Sequence, residues 1–128
     1  MTNIQAKRVY ESAQPDDGFR VLVDRVWPRG MSKERMHTDL WLKDVAPTTD
    51  LRVWFSHDRT KWEAFKKRYF AELEAKSEFI TQLLDKAAQG RLTLLFSAQD
   101  TECNQAVALR EYLISRSKKI SSKTNDKK

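Results

Sequence analysis

The sequence predicts a small α/β protein with a single domain. Three observations carry that reading. Two short apolar stretches, Val21-Leu22-Val23 and "RLTLLFSA" at 91–98, are continuous rather than alternating, as in strands covered on both faces. About sixty residues of largely helical periodicity separate them, enough for a crossover that lets the two strands lie parallel and side by side. The length, 128 residues, suits one hydrophobic core.

The elements follow in order. "IQAKRVYE" at 4–11 alternates and reads as a half-buried strand. "SAQPDDG", with Pro15 and Gly18, is a turn cluster. "FRVLVDR" at 19–25 is the first interior strand. The link between these two is too short for a crossover helix, so they are expected to be antiparallel where adjacent. Ser32 is placed to cap a helical turn, "KERM". "TDLWLKDVA" at 38–46 reads as a short amphipathic helix with Leu40, Trp41 and Val45 inward, stopped by Pro47.

Thr48 or Thr49 caps "DLRVWFSH", and Thr60 caps a long helix from Lys61 that carries Trp62, Phe65, Tyr69 and Leu73 at helical spacing. Ser77 starts a further helix, with Phe79, Ile80, Leu83, Leu84 and Ala87 inward and Gly90 at its end. After the second interior strand, "TECNQAVALREYLIS" is the last helix. The expected architecture is a three-stranded mixed sheet covered by about five helices. Its two central strands are parallel and its N-terminal strand antiparallel. One domain spans 1–114, and a basic disordered tail follows at 115–128.

Composition removes several classes of function. No apolar run approaches the ~18–20 residues that span a bilayer, and the N-terminus lacks the apolar core of a signal peptide. A cytoplasmic protein with no membrane partner is therefore expected. The single cysteine excludes an internal disulfide. The net charge of +6 is concentrated at one end: the tail holds six of the 24 basic residues and only one acid, Asp126, which leaves the body near neutral. The tail reads as a solubilising extension, with nonspecific polyanion contact, nucleic acid included, as the alternative. The three glycines are isolated, so there is no phosphate-cradling loop. His37, His57 and Cys103 form no pair at metal-ligand spacing. No cofactor is expected.

The candidate chemistry lies at the strand exits. In open α/β sheets ligands bind beyond the carboxyl ends of the parallel strands. Here those ends are "DRVWPRG" (24–30) and "SAQDTECN" (97–104). Arg25 and Arg29 are fork donors suited to carboxylate or phosphate. Asp24 is placed to orient an arginine or accept a ligand hydroxyl. Trp27 and Pro28 make either a rigid turn or a cis bond that shapes a cleft. Asp100, Asn104 and the start of the last helix offer polar groups at the same edge. The plain alternative is that Asp24 pairs with an arginine and that Asp100 or Thr101 caps the helix.

His57, followed by Asp58, is the acid–base candidate, against a surface or capping role. A nucleophilic Cys103 of the phosphatase kind needs an arginine after five intervening residues. The first arginine after it is Arg110, one position too far, and the intervening "NQAVAL" lacks glycine.

The strings "DGFRVLVDRVWPRGMSKE", "WLKDVAPTTDLRVWFSHD", "KWEAFKKRYFAEL" and "LTLLFSAQDTECNQAVALREYL" resemble the YeaO-like family of small bacterial proteins, a domain of unknown function of the 488 class. The resemblance covers about 4–113. It implies a compact cytoplasmic α/β domain and no particular activity. Positions matching the family's polar residues are Asp24, Arg25, Arg29, His57, Asp58, Asp100 and Asn104. Two positions depart from the family: Cys103 stands where a histidine is usual, and Ser56 where a glycine is usual.

Taken together, these residues favour a protein that binds a polar or anionic small ligand at the ends of its parallel strands. Hydrolysis or group transfer is the reaction class if there is chemistry, and whether the chain is an enzyme is left open. The alternatives are a regulatory module that binds nucleic acid or protein, and a structural subunit of a larger assembly.

Overall fold

The computed structural model describes residues 3–126, with side chains described through 118. Strands β1 (Ile4–Arg8), β2 (Phe19–Leu22), β3 (Leu40–Trp41) and β4 (Leu92–Phe96) form one sheet in the order β1-β4-β2-β3. Every neighbouring pair is parallel. Helices α1 (Lys33–Met36), α2 (Thr49–Phe55), α3 (Trp62–Glu74), α4 (Ser77–Gln89) and α5 (Gln105–Asp126) complete the fold. None of the described helices is long and apolar enough to cross a membrane.

The sheet corrects two expectations. It has four strands rather than three, and it is parallel throughout rather than mixed. β2 and β4 are the adjacent parallel pair that the long helical crossover implies, with Val21 opposite Leu94. β1, however, does not pair with β2. It lies on the far edge of β4, with Ala6 opposite Leu94. All five residues of β4 are buried, so it gains a neighbour on each side, while the alternating β1 suits an edge. No helix is needed to bring the chain back. The link 9–18 reaches ~33 Å when extended, about twice the ~17 Å of a five-residue strand.

The fourth strand comes from the segment expected to be a helix. Leu40–Trp41 instead pairs with Val21–Leu22, and the backbone N–H groups of Asp39 and Leu42 donate to the carbonyls of Arg20 and Leu22. The free edge of β2 captures the chain before a helix starts, and only a 3-10 turn at Lys43–Val45 remains of the expected helix. Trp41 is accordingly not inward. It lies at the sheet edge with its ring against Trp27, centroids 5.4 Å apart.

Alternation along the strands sorts the two faces. Val21, Val23, Leu92, Leu94 and Phe96 point into the main core with Phe65, Tyr69, Leu73, Ile80, Leu83 and Leu109 of the long helices. Leu22 and Leu95 point the other way, against Val9, Met31 and Met36. That second face also holds a buried ion cluster. The Asp17 carboxylate accepts from Gln5, Lys7, Arg20 and the Gln14 N–H, and Arg20 donates in turn to the carbonyls of Met36 and His37 at the end of α1. Gly18 sets the approach to β2. Its φ is +69°, and a Cβ there would collide with the Arg91 carbonyl.

Thr48 caps α2 as its position suggests, its hydroxyl accepting from the Leu51 N–H at 3.2 Å. The next start differs from expectation. Asp58, not Thr60, makes the cap: it accepts from the Thr60 N–H and hydroxyl and opens a 3-10 turn, Arg59–Lys61, ahead of α3. α5 is helical past Ser115, where composition suggests that the folded body ends and a disordered tail begins. Residues 127–128 of that tail lie outside the described residues.

Candidate functional site

The exits of β2 and β4 and the connection before α2 enclose a cavity of about 380 Å³. This is within the range of small-ligand pockets. Its inner wall includes the buried rings of Phe55 and Phe65, the buried Pro28 and Pro47, and the half-buried Trp27. Arg29, Arg52 and His57 also line it and are exposed, so basic groups gather at its mouth. The sheet topology makes this convergence. Parallel β2 and β4 end at the same edge, and α5 starts there too.

Asp24 lies deep in the cavity wall, 7% exposed. One carboxylate oxygen, Oδ2, accepts from the Ser97 N–H at 3.0 Å and from the Ser97 hydroxyl at 2.6 Å. The other, Oδ1, accepts from the side-chain amide of Gln105. Burial pushes this carboxyl above its ordinary range, and the bonds from Ser97 and Gln105 only partly offset that. The plain alternative for Asp24, pairing with an arginine, is not realised.

Arg25 uses one terminal nitrogen to donate to the carbonyls of Ala46 and Pro47, both at 3.2 Å. This pins the segment before α2 against the β2 exit. Its Nε–H is buried in the wall with no partner among the described residues. Trp27 donates its indole N–H to the Met31 carbonyl at 2.7 Å, and the Trp27–Pro28 bond is trans. Arg29 contributes its carbonyl to the Tyr10 hydroxyl and leaves its side chain at the mouth.

On the other side of the cavity, Asp100 and Asn104 are committed to structure. Asp100 accepts from the N–H groups of Glu102 and Cys103 and holds the Arg59 guanidinium through both oxygens, at 2.8 and 2.9 Å. The Arg59 bonds bring its carboxyl down to about 2. Asn104 accepts from the Val107 N–H and donates to the Asp100 carbonyl, which makes it the N-cap of α5. Asn104 lines the cavity and Asp100 does not. Cys103 is buried, and burial together with Asp100 raises its thiol, which is unfavourable for a thiolate nucleophile.

His57 reaches the cavity from a strained corner. Ser56 and His57 both have left-handed backbones, with φ of 46° and 60°. Asp58 points away into its cap with Thr60 and does not line the cavity. Of the positions singled out from sequence, the cavity therefore brings together Asp24, Arg25, Trp27, Pro28, Arg29, His57, Cys103 and Asn104. It adds Arg52 and Gln105, which sequence reasoning does not reach, and Ser97, which lies within the expected strand exit at 97–104 without being a named candidate there. Arg52 lies on the polar face of α2 and Gln105 at the first turn of α5, positions that ordinarily belong to solvent. The strand-exit rule, applied to every polar residue of the exit at 97–104, finds Ser97 but not Gln105.

A parallel α/β sheet with a charged, ligand-sized cavity at its carboxyl edge is the class of protein that fold and site define. The chain belongs to the DUF488 family: residues 3–127 match the family model described as "Inactive DUF488-N3 subclade". It is 42% identical over 111 residues to the uncharacterised protein YeaO of Escherichia coli K12, covering 87% of this chain and 96% of that one. It is 36% identical over 112 residues to the uncharacterised protein Rv3073c of Mycobacterium tuberculosis H37Rv, covering 88% and 94%. Mb3100c of Mycobacterium bovis, also uncharacterised, matches to the same extent. No solved structure matches the chain.

Proposed function

We propose that this protein binds a small organic anion at the carboxyl edge of its sheet and does not transform it. The supporting observation is the convergence of Arg25, Arg29, Arg52 and His57 on one cavity whose inner wall is aromatic. Arginines at the mouth attract and orient a carboxylate or phosphate, and the rings take the apolar part of the same molecule. Binding without turnover is favoured by what the other polar groups do. Asp58 and Asn104 are occupied as caps, and the Cys103 thiol is raised. The description of the matching family model as an inactive subclade agrees with this reading.

The test is a thermal-shift screen of aromatic carboxylates and phosphate monoesters against the wild-type chain and an Arg29→Ala/Arg52→Ala variant. Both changes are at exposed positions, so the fold is expected to persist. Stabilisation by at least one anion, lost in the variant, is the expected result. Stabilisation that survives in the variant, or none from any anion, contradicts the proposal.

A further inference from the structure

The cavity has a polarity along its depth that narrows what fits it. Its one acid, Asp24, is buried, whereas the basic side chains of Arg29, Arg52 and His57 are exposed. An ionised carboxylate offers about four acceptor positions, two on each oxygen. Three are used, two on Oδ2 by Ser97 and one on Oδ1 by Gln105. One position on Oδ1 is left over, on a side chain that lines the cavity. The same lining carries flat surfaces: the buried rings of Phe55 and Phe65, and Trp27, whose indole N–H is tied to Met31.

We infer that the ligand is a flat, amphipathic anion with a hydrogen-bond donor at the end opposite its acidic group. The donor, an amine or hydroxyl on an aromatic ring, enters first and meets Asp24 Oδ1, and the carboxylate or phosphate remains at the mouth with the arginines. This rests on the proposed anion site and adds the identity of the inner end. A simple apolar anion leaves the Asp24 acceptor desolvated and unpaired, and a neutral aromatic amine leaves the arginines unanswered.

The experiment compares two probes by fluorescence titration at neutral pH: a naphthalene carboxylate, and the same acid with an amino group on its far ring. The amino-substituted acid is expected to bind about fivefold to tenfold more tightly, the worth of one buried hydrogen bond. In Asp24→Asn, the side-chain oxygen is needed by the Ser97 N–H, so the amide nitrogen takes the place of Oδ1 and offers a donor instead. The preference is then expected to vanish while the unsubstituted acid still binds. Gln105→Met, which frees a second acceptor position on Oδ1, is expected to widen the preference and tests the same contact if Asp24→Asn does not fold.

Equal affinity for the two acids in the wild-type chain overturns this inference and leaves the anion site standing. So does a preference unchanged in Asp24→Asn or, if that variant does not fold, unchanged in Gln105→Met. Failure of both probes to bind in an Arg29- and Arg52-dependent way overturns both.

Discussion

Asp24 at the exit of β2 accepts both the backbone N–H and the hydroxyl of Ser97 at the exit of β4, at 3.0 and 2.6 Å. Two adjacent parallel strands are thus tied together one step beyond their ladder, at the wall of the cavity. Asp24→Ala leaves the Ser97 N–H and the Gln105 amide without their acceptor. We expect a loss of about 2–3 kcal/mol in urea denaturation. A loss below about 0.5 kcal/mol would mean the tie carries no weight.

The same carboxyl sets a pH dependence of unusual sign. Burial raises its pKa, so the folded state holds the proton more tightly than the unfolded chain. Stability contributed by the protonated form is full below the ordinary value of 3.8 and falls as pH rises through the folded value. Asp100 does the opposite. Its pKa is lowered to about 2, so its contribution is present above 3.8 and lost as pH falls toward about 2. Denaturation curves across acidic pH are expected to lose the downward step in Asp24→Asn and to show a shallower acid limb in Asp100→Asn.

On the second face, the Asp17 carboxylate lies between Lys7 and Arg20 in a buried setting. Asp17→Ala strands two cations, and we expect a loss of about 3–5 kcal/mol by chemical denaturation. Replacing Asp17, Lys7 and Arg20 together with apolar residues of similar size is expected to cost less than Asp17→Ala alone. A larger cost would show that the cluster stabilises by more than avoiding unpaired charge.

Ser56 holds a left-handed backbone at the end of α2, its N–H donating to the Arg52 carbonyl. Glycine meets no Cβ penalty there, so Ser56→Gly is expected to stabilise by about 1 kcal/mol and raise the melting temperature by a few degrees. Destabilisation would contradict the assigned conformation.

These relationships differ in how far the chain announces them. The runs at 21–23 and 92–96, apolar but for Thr93, mark β2 and β4 as interior, because strands buried on both faces need no alternation, and the long crossover between them lets them lie side by side. That places the site at the right edge. The position of β1 is hidden because a short link suggests an antiparallel neighbour, whereas the chain passes back over the sheet face and leaves β4 in between. The segment at Leu40 is hidden because two residues of strand are too few to show a period, and the open edge of β2 decides their state. Among site residues, Arg25, Arg29 and His57 follow from their types and places. Gln105 and Arg52 reach the cavity only through the packing of α5 and α2, which local pattern does not contain.

The most direct test of the central claim is a heteronuclear NMR titration with an aromatic carboxylate. Saturable shifts are expected at the amides of Arg25, Trp27, Ser97 and Gln105 and at the Arg52 side chain, all abolished in Arg29→Ala/Arg52→Ala. Shifts confined to the basic end of α5, or no saturable shift at the strand exits, would contradict anion binding at this edge of the sheet.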